Sequence, residues 1–199
     1  MGKIGYYLVT AAESALSAVG IRATYEQPRY AVVHRLPGGV EIRDYAPRAV
    51  VETEAEGPGD AQAFRRLFRY ITGANRAERL VAMTVPVEQT GDLIAMTAPV
   101  EARAGAMRFV LPRRVVEDGA PVPTDPQVRI VPLPAQRLAV LRFSGRPTQA
   151  ARRAREAELL RVLAQAGLTP EGAPAFLGYD PPLTLPFLRR NEVAVAVTG

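Results

Sequence analysis

The spacing of apolar positions changes along this chain, and each change marks an element. Ile4, Leu8, Ala11, Ala15, Leu16 and Val19 recur three and four residues apart before Gly20, which predicts an amphipathic helix over residues 1–20. Glu13 interrupts its apolar stretch and the run is too short to span a bilayer, so the expectation is a retained docking or membrane-surface helix rather than a cleaved signal. After a polar linker over residues 25–29 the period falls to two. Residues 30–36 are rich in β-branched side chains and stop at Pro37-Gly38-Gly39, and residues 40–45 and 49–56 flank a turn at Ala46-Pro47, which together predict an antiparallel meander. The period then lengthens again: Asp60 is placed to cap a helix whose Phe64, Leu67, Phe68 and Ile71 fall at i, i+3, i+4 and i+7, with Gly73 placed to end it.

Two similar segments follow, residues 81–87 and 94–100, built around Met83-Thr84 and Met96-Thr97. Pro86 and Pro99 each stand two residues past the Met-Thr pair and bar a central ladder position, so each strand is expected to end or bulge there. Further strands are expected over residues 107–111, 128–131 and 138–143. A proline-rich loop spans residues 112–126, and Thr148 caps a second helix running to about residue 166 before Gly167.

A longer repeat contains these elements. The strand at Val40, the turn at Ala46-Pro47, Gly57 and the helix from Asp60 are echoed by Val128, Pro134-Ala135, Gly145 and the helix from Thr148, an offset close to 88 residues. A sheet covered by one helix needs a second half to complete its core, so the chain is read as one α+β domain made of two strand-strand-helix-strand halves about a pseudo-two-fold axis.

Composition fits that reading and narrows the chemistry. Of 199 residues, 48% are hydrophobic and 23% charged, with mean hydropathy −0.01, enough to bury a sizeable core. The sequence has no cysteine, which excludes disulfides, thiolate zinc sites, iron–sulfur clusters and cysteine nucleophiles. His34 is the only histidine, which excludes multi-histidine metal sites, and Lys3 is the only lysine, so no phosphate-loop or internal Schiff-base lysine exists. The net charge of +5 raises the question of nucleic acid, but the arginines are scattered and no aromatic platform interleaves with them, so a solvated basic surface is expected and a nucleic-acid partner is not.

Catalytic motifs are scarce. A Ser-His-acid triad would have to use His34, no Gly-x-Ser-x-Gly elbow exists, and Gly57-Pro58-Gly59 lacks the third glycine of a dinucleotide loop. Glu52, Glu54 and Glu56 alternate along one strand; paired carboxylates do acid–base work, yet a water-facing strand gives the same pattern, and the solvated face is expected. The helix after Asp60 is the better binding lead, with Arg65 and Arg69 on one flank of the apolar stripe and Tyr70 toward the other. An apolar strip edged by guanidinium groups suits a flat hydrophobic ligand bearing carboxylates, although the same stripe is the ordinary signature of a core-facing helix. His34, beside the Pro-Gly-Gly turn, is a candidate iron ligand or an ordinary surface side chain. Met83 and Met96 are expected to fill core.

Together these segments resemble the SOUL/heme-binding protein family from about residue 30 to residue 197. The resemblance rests on Val40-Glu41-Ile42-Arg43-Asp44-Tyr45, on Ala63-Phe64-x-x-Leu67-Phe68-x-Tyr70-Ile71-x-Gly73-x-Asn75, on the two Ala-Met-Thr-x-Pro-Val segments, on Gly178-Tyr179-Asp180-Pro181-Pro182 and on Arg189-Arg190-Asn191-Glu192-Val193. It implies a distorted antiparallel β-barrel flanked by two helices, preceded here by the extra amino-terminal helix. The expected organisation is residues 1–27 as helix and linker, and residues 28–199 as the domain, with halves at about 30–105 and 106–199.

The resemblance also implies reversible binding of heme or another tetrapyrrole in a hydrophobic groove along the first long helix, for storage, transport or buffering. By motif that groove involves Phe64, Phe68 and Arg69, and by helix geometry Leu67, Ile71 and Arg65. A histidine proposed as ligand in some members precedes the motif tyrosine; that position is Asp44 here, and His34 does not align with it, so His34 stands only as a candidate metal ligand. The two-half architecture also resembles effector-binding domains of the gyrase-inhibitor type. That supplies the rival reading of a general lipophilic or regulatory small-molecule module; an enzyme acting on a hydrophobic substrate is a third. The expected partners are a small hydrophobic ligand and, through residues 1–20, a peripheral membrane contact, with the cytoplasm as the expected compartment and the periplasm left open.

Overall fold

The computed structural model describes residues 26–76, 94–103, 105–180 and 184–198. The helix expected over residues 1–20 and the first Met-Thr segment, residues 81–87, lie outside the described residues. The three expected strands are present as β1 (Tyr30–Arg35), β2 (Val40–Tyr45) and β3 (Arg48–Glu54), followed by helix α1 (Ala61–Ile71). Asp60 caps α1 as expected: its Oδ1 accepts from the backbone N–H of Gln62 at 2.8 Å and of Ala63 at 3.0 Å. Past the C-cap Thr72 the chain reverses through Gly73, whose φ of 113° a residue with a side chain rarely adopts.

After β4 (Asn75–Arg76) come β5 (Val100–Arg103), β6 (Ala106–Val110), a short helix α2 (Arg113–Glu117), β7 (Val122–Pro123), β8 (Val128–Leu133) and β9 (Gln136–Phe143). Helix α3 (Gln149–Gln165), capped by Thr148, leads into β10 (Thr169–Gly178) and β11 (Asn191–Thr198). The expected loop over residues 112–126 therefore holds one turn and a half of helix and a two-residue strand. Residues 94–99 do not form the strand their sequence suggests: among them only Thr97 makes a bridge, to Glu26, and the ladder begins at Val100, directly after Pro99.

Among the described residues nine strands form one antiparallel, curled sheet in the order β1-β2-β9-β11-β10-β5-β6-β3-β8, and β4 pairs with β7 separately. The first three strands do not form the expected meander: β1 pairs with β2, whereas β2 pairs onward with β9 and β3 pairs with β6 and β8, so the chain leaves one half of the sheet for the other at Ala46-Pro47. The fold is α+β, with two long helices on one face of a half-barrel sheet. From β2 to β8 the order is palindromic with respect to chain sequence. The run β2-β3-α1-β5-β6 and the run β8-β9-α3-β10-β11 occupy equivalent places about the β10–β5 junction. Each run has a fourth strand beyond the three read from sequence.

Period-two alternation sorts the sheet's side chains. Val51, Phe109 and Val128 pack with Ala63, Leu67, Tyr70 and Ile71 of α1 in one core. Val40, Leu141 and Val193 pack with Leu159, Val162 and Leu163 of α3 in another. The intervening residues point to the helix-free face, where Tyr45, Val140, Leu177, Tyr179 and Ala194 form one cluster and Val50, Val110 and Leu133 a second.

The buried stripe of α1 is thus centred on Leu67 and turned toward Tyr70, whose hydroxyl donates to the Pro121 carbonyl at 2.8 Å. Burial pushes that hydroxyl up to about 12 from an ordinary 10. The folded chain holds this proton more tightly than the unfolded one, so the linked stability is complete below pH 10 and is lost between pH 10 and 12, about 2–3 kcal/mol for the full shift. We expect urea midpoints of Tyr70→Phe to fall less steeply than those of the wild type across that window. Equal slopes would remove Tyr70 from the alkaline transition.

Candidate functional site

At 100° per residue, the six residues expected to line a groove divide among three sides of α1. Leu67 and Ile71 lie in the core, 0% and 3% exposed, where they hold the helix on β3, β6 and β8. Phe64 and Phe68 form one flank. Their rings stack with centroids 6.1 Å apart, and Phe64 also meets the buried Phe109 of β6 edge-on at 5.3 Å, yet it remains 38% exposed while Phe68 is half-buried. Arg65 and Arg69 occupy the outer face, both exposed, and Arg65 is i−3 to Phe68. Arg69 reaches Asp125 at 3.4 Å and, with Arg66, Tyr70 and Thr124, lines a hollow of about 240 Å³ on the flank opposite Phe64.

His34 is exposed on β1, opposite Ile42 and beside a bulge. β1 stands at the end of the strand order remote from β3 and β8, on which α1 rests. Among the described residues no three His, Cys, Asp or Glu side chains are grouped to hold a metal ion. No helix among them is long and apolar enough to cross a membrane. Asp44, the residue before the motif tyrosine, is engaged by Arg137 of β9 through two hydrogen bonds of 2.7 and 2.8 Å, and these hold its carboxyl below the usual range.

Sequence reasoning missed the polar system on the helix-free face. Glu192 of β11 is fully buried. It accepts from Arg43 at 3.0 Å, from Arg190 at 2.7 Å and from the Tyr179 hydroxyl at 2.9 Å, while Arg43 also pairs with Glu41 at 2.8 Å. Burial alone would lower the pKa of Arg43, but the Glu192 carboxylate raises it well above its ordinary value. Burial, reinforced by the charge of Glu192, pushes the Tyr179 hydroxyl far above the ordinary tyrosine range. The backbone N–H of Arg190 donates to Asp180 at 2.6 Å. Three of the sequence motifs, around Arg43, Tyr179 and Glu192, therefore meet in one buried network that ties β2 to β11 and to the chain just past β10. The available signal was a glutamate opening an otherwise apolar strand, Asn191-Glu192-Val193-Ala194-Val195.

A second network corrects the expectation for Glu52. Glu54 and Glu56 are exposed, but Glu52 is 3% exposed and bound by Arg108 of β6 and Arg129 of β8, the latter at 2.5 Å. The side chains of those two arginines, rather than water, cover its carboxylate. Burial raises its pKa, and hydrogen bonds from Arg129 and Arg108 outweigh that, holding the carboxyl below its usual value. Arg108 also reaches Glu101 of β5 at 3.3 Å.

Several solved structures share this fold. The C-terminal domain of EcmrR superposes with a TM-score of 0.51 at 12% identity, over 80% of this chain and 96% of that one. A hydrolase from Listeria innocua gives 0.50 at 11% identity, over 80% and 91%. An uncharacterized conserved protein from Listeria innocua gives 0.50 at 13%, over 88% and 94%. At these identities the likeness is one of fold. No curated protein sequence matches the chain. The model of the SOUL heme-binding protein family matches residues 25–196, a span that takes in both long helices, the nine-stranded sheet except for the last two residues of β11, and the network around Glu192, and the chain belongs to that family.

Proposed function

We propose that this chain binds heme or another tetrapyrrole reversibly along the Phe64–Phe68 edge of α1, as a storage, transport or buffering protein. The family is heme-binding, and the observation that carries the location is the aromatic pair itself. Phe64 is 38% exposed although it touches Phe68 and Phe109, so an apolar, flat-faced edge stands outside a core already filled by Leu67 and Ile71. Arg65, a turn from Phe68, and Arg69 supply guanidinium groups for ligand carboxylates. As exposed charges they contribute about 0–1 kcal/mol each, so burial of the macrocycle supplies most of the affinity. With Asp44 tied to Arg137 and His34 on β1, binding by burial needs no axial histidine.

The strand order also supports reading residues 28–199 as a duplicated domain. By that pairing β6 goes with the first unit, which moves the boundary between the halves from residue 105 into the connection over residues 112–127.

The test is titration with hemin and with metal-free protoporphyrin. Both should bind the wild type, and Phe64→Ala/Phe68→Ala should weaken both about tenfold or more, the effect of withdrawing roughly 1.5–3 kcal/mol of aromatic burial. His34→Ala should leave both unchanged. Unaltered affinity in the double phenylalanine variant, or loss of hemin alone in His34→Ala, would overturn the assignment.

A further inference from the structure

A second place in the molecule has the makings of a ligand site, on the helix-free face where the two halves of the sheet meet. Alternate residues of β3, β5, β6, β9, β10 and β11 there enclose a cleft with about 60 Å³ of open space. One wall is apolar, from Leu138, Leu177 and Ala194. The other carries charge, from Arg48, Glu101, Arg103 and Arg108.

These charges are not balanced alike. Arg108 pairs with Glu52 and Glu101, and Arg103 approaches Glu101 at 3.9 Å. Arg48 has no carboxylate within ion-pair distance among the described residues. Its Nη2 donates to the Gln136 side chain at 3.3 Å and its guanidinium stands 5.1 Å from the centre of the Tyr45 ring, but its Nη1 is shut off from solvent and has no hydrogen-bond partner among the described residues. A buried donor left unmade is costly, and the cost is greater for a charged group. Burial accordingly pulls the Arg48 guanidinium below its ordinary pKa, with Glu101 only partly offsetting it.

We propose that this cleft binds a small organic carboxylate, whose head takes the unused donor of Arg48 and whose apolar body lies between the Tyr45 and Tyr179 rings. A carboxylate supplies the two acceptors that a guanidinium fork matches. The size of the cleft sets the class: room for about four waters admits a carboxylate head and a few carbons and excludes a macrocycle. The site is therefore separate from the aromatic edge of α1.

The experiment is calorimetric titration of the full chain with propionate, its uncharged isostere propionamide, and propylammonium. Propionate should bind at least tenfold more tightly than either. Arg48→Met, checked for folding by circular dichroism, should lose at least tenfold in propionate affinity and keep its hemin affinity. Equal binding of propionamide, preference for propylammonium, or no propionate binding would overturn the proposal, and these comparisons on the wild type decide it even if Arg48→Met fails to fold. Equal losses of propionate and hemin in Arg48→Met would overturn the separateness of the two sites.

Discussion

Glu192→Ala should cost about 3–5 kcal/mol, a large part of the stability of a domain of this size. The carboxylate is fully buried and holds two arginines and a tyrosine hydroxyl. Removing it leaves Arg43, 3% exposed, with Glu41 as its remaining carboxylate, and leaves Arg190 without the acceptor it meets through both Nε and Nη2. Arg190 would keep the side chain of Gln27 and the face of Tyr179, neither of which neutralises it. The large loss reflects uncompensated charge rather than the net value of the intact pair. Replacing all three charged groups together, as Arg43→Met/Arg190→Met/Glu192→Leu, should therefore be milder than Glu192→Ala alone. Urea unfolding followed by circular dichroism measures both. A Glu192→Ala midpoint within error of the wild type, or a triple variant much worse than the single, would show that the network does not hold the sheet in this way.

The network also shows where sequence reading succeeded and where it stopped. Caps and periods act locally, so Asp60, Thr148, the start of α1 and most strands were legible from a few neighbouring residues. β10 was not. Pro170, Gly172 and Pro174 break its alternation, and the strand survives because its register shifts between Glu171 and Ala175 and because β5 pairs only with Phe176, Leu177 and Gly178. Pro132 survives in β8 for a related reason, since β8 is the last strand of the sheet. Glu52 was misread because alternation identifies a face without saying what covers it; the cover comes from Arg108 and Arg129, 56 and 77 residues away in the chain. Period alone also could not decide which residues of α1 stay outside. The i, i+3, i+4, i+7 stripe included Phe64, whereas the buried face takes in Tyr70, whose hydroxyl partner is the distant carbonyl of Pro121.

That rotation of α1 separates stability from binding. Leu67 is 0% exposed at the centre of the buried face, so Leu67→Ala should destabilise the domain by about 2–5 kcal/mol through lost burial and the cavity left against Val51 and Phe109. Phe64, one turn away on the flank, should cost much less on truncation, because over a third of it is already in water. For tetrapyrrole affinity the order should reverse. In buffer that keeps both variants folded, Leu67→Ala should bind hemin nearly as the wild type does, since its side chain cannot reach a ligand on the surface, whereas Phe64→Ala should bind more weakly. Urea unfolding and hemin titration on the same two variants give the four numbers needed. If Leu67→Ala loses hemin more than Phe64→Ala does while still folded, the ligand enters the α1 core instead of lying along its aromatic edge, and Leu67 belongs to the site as a wall rather than as its foundation.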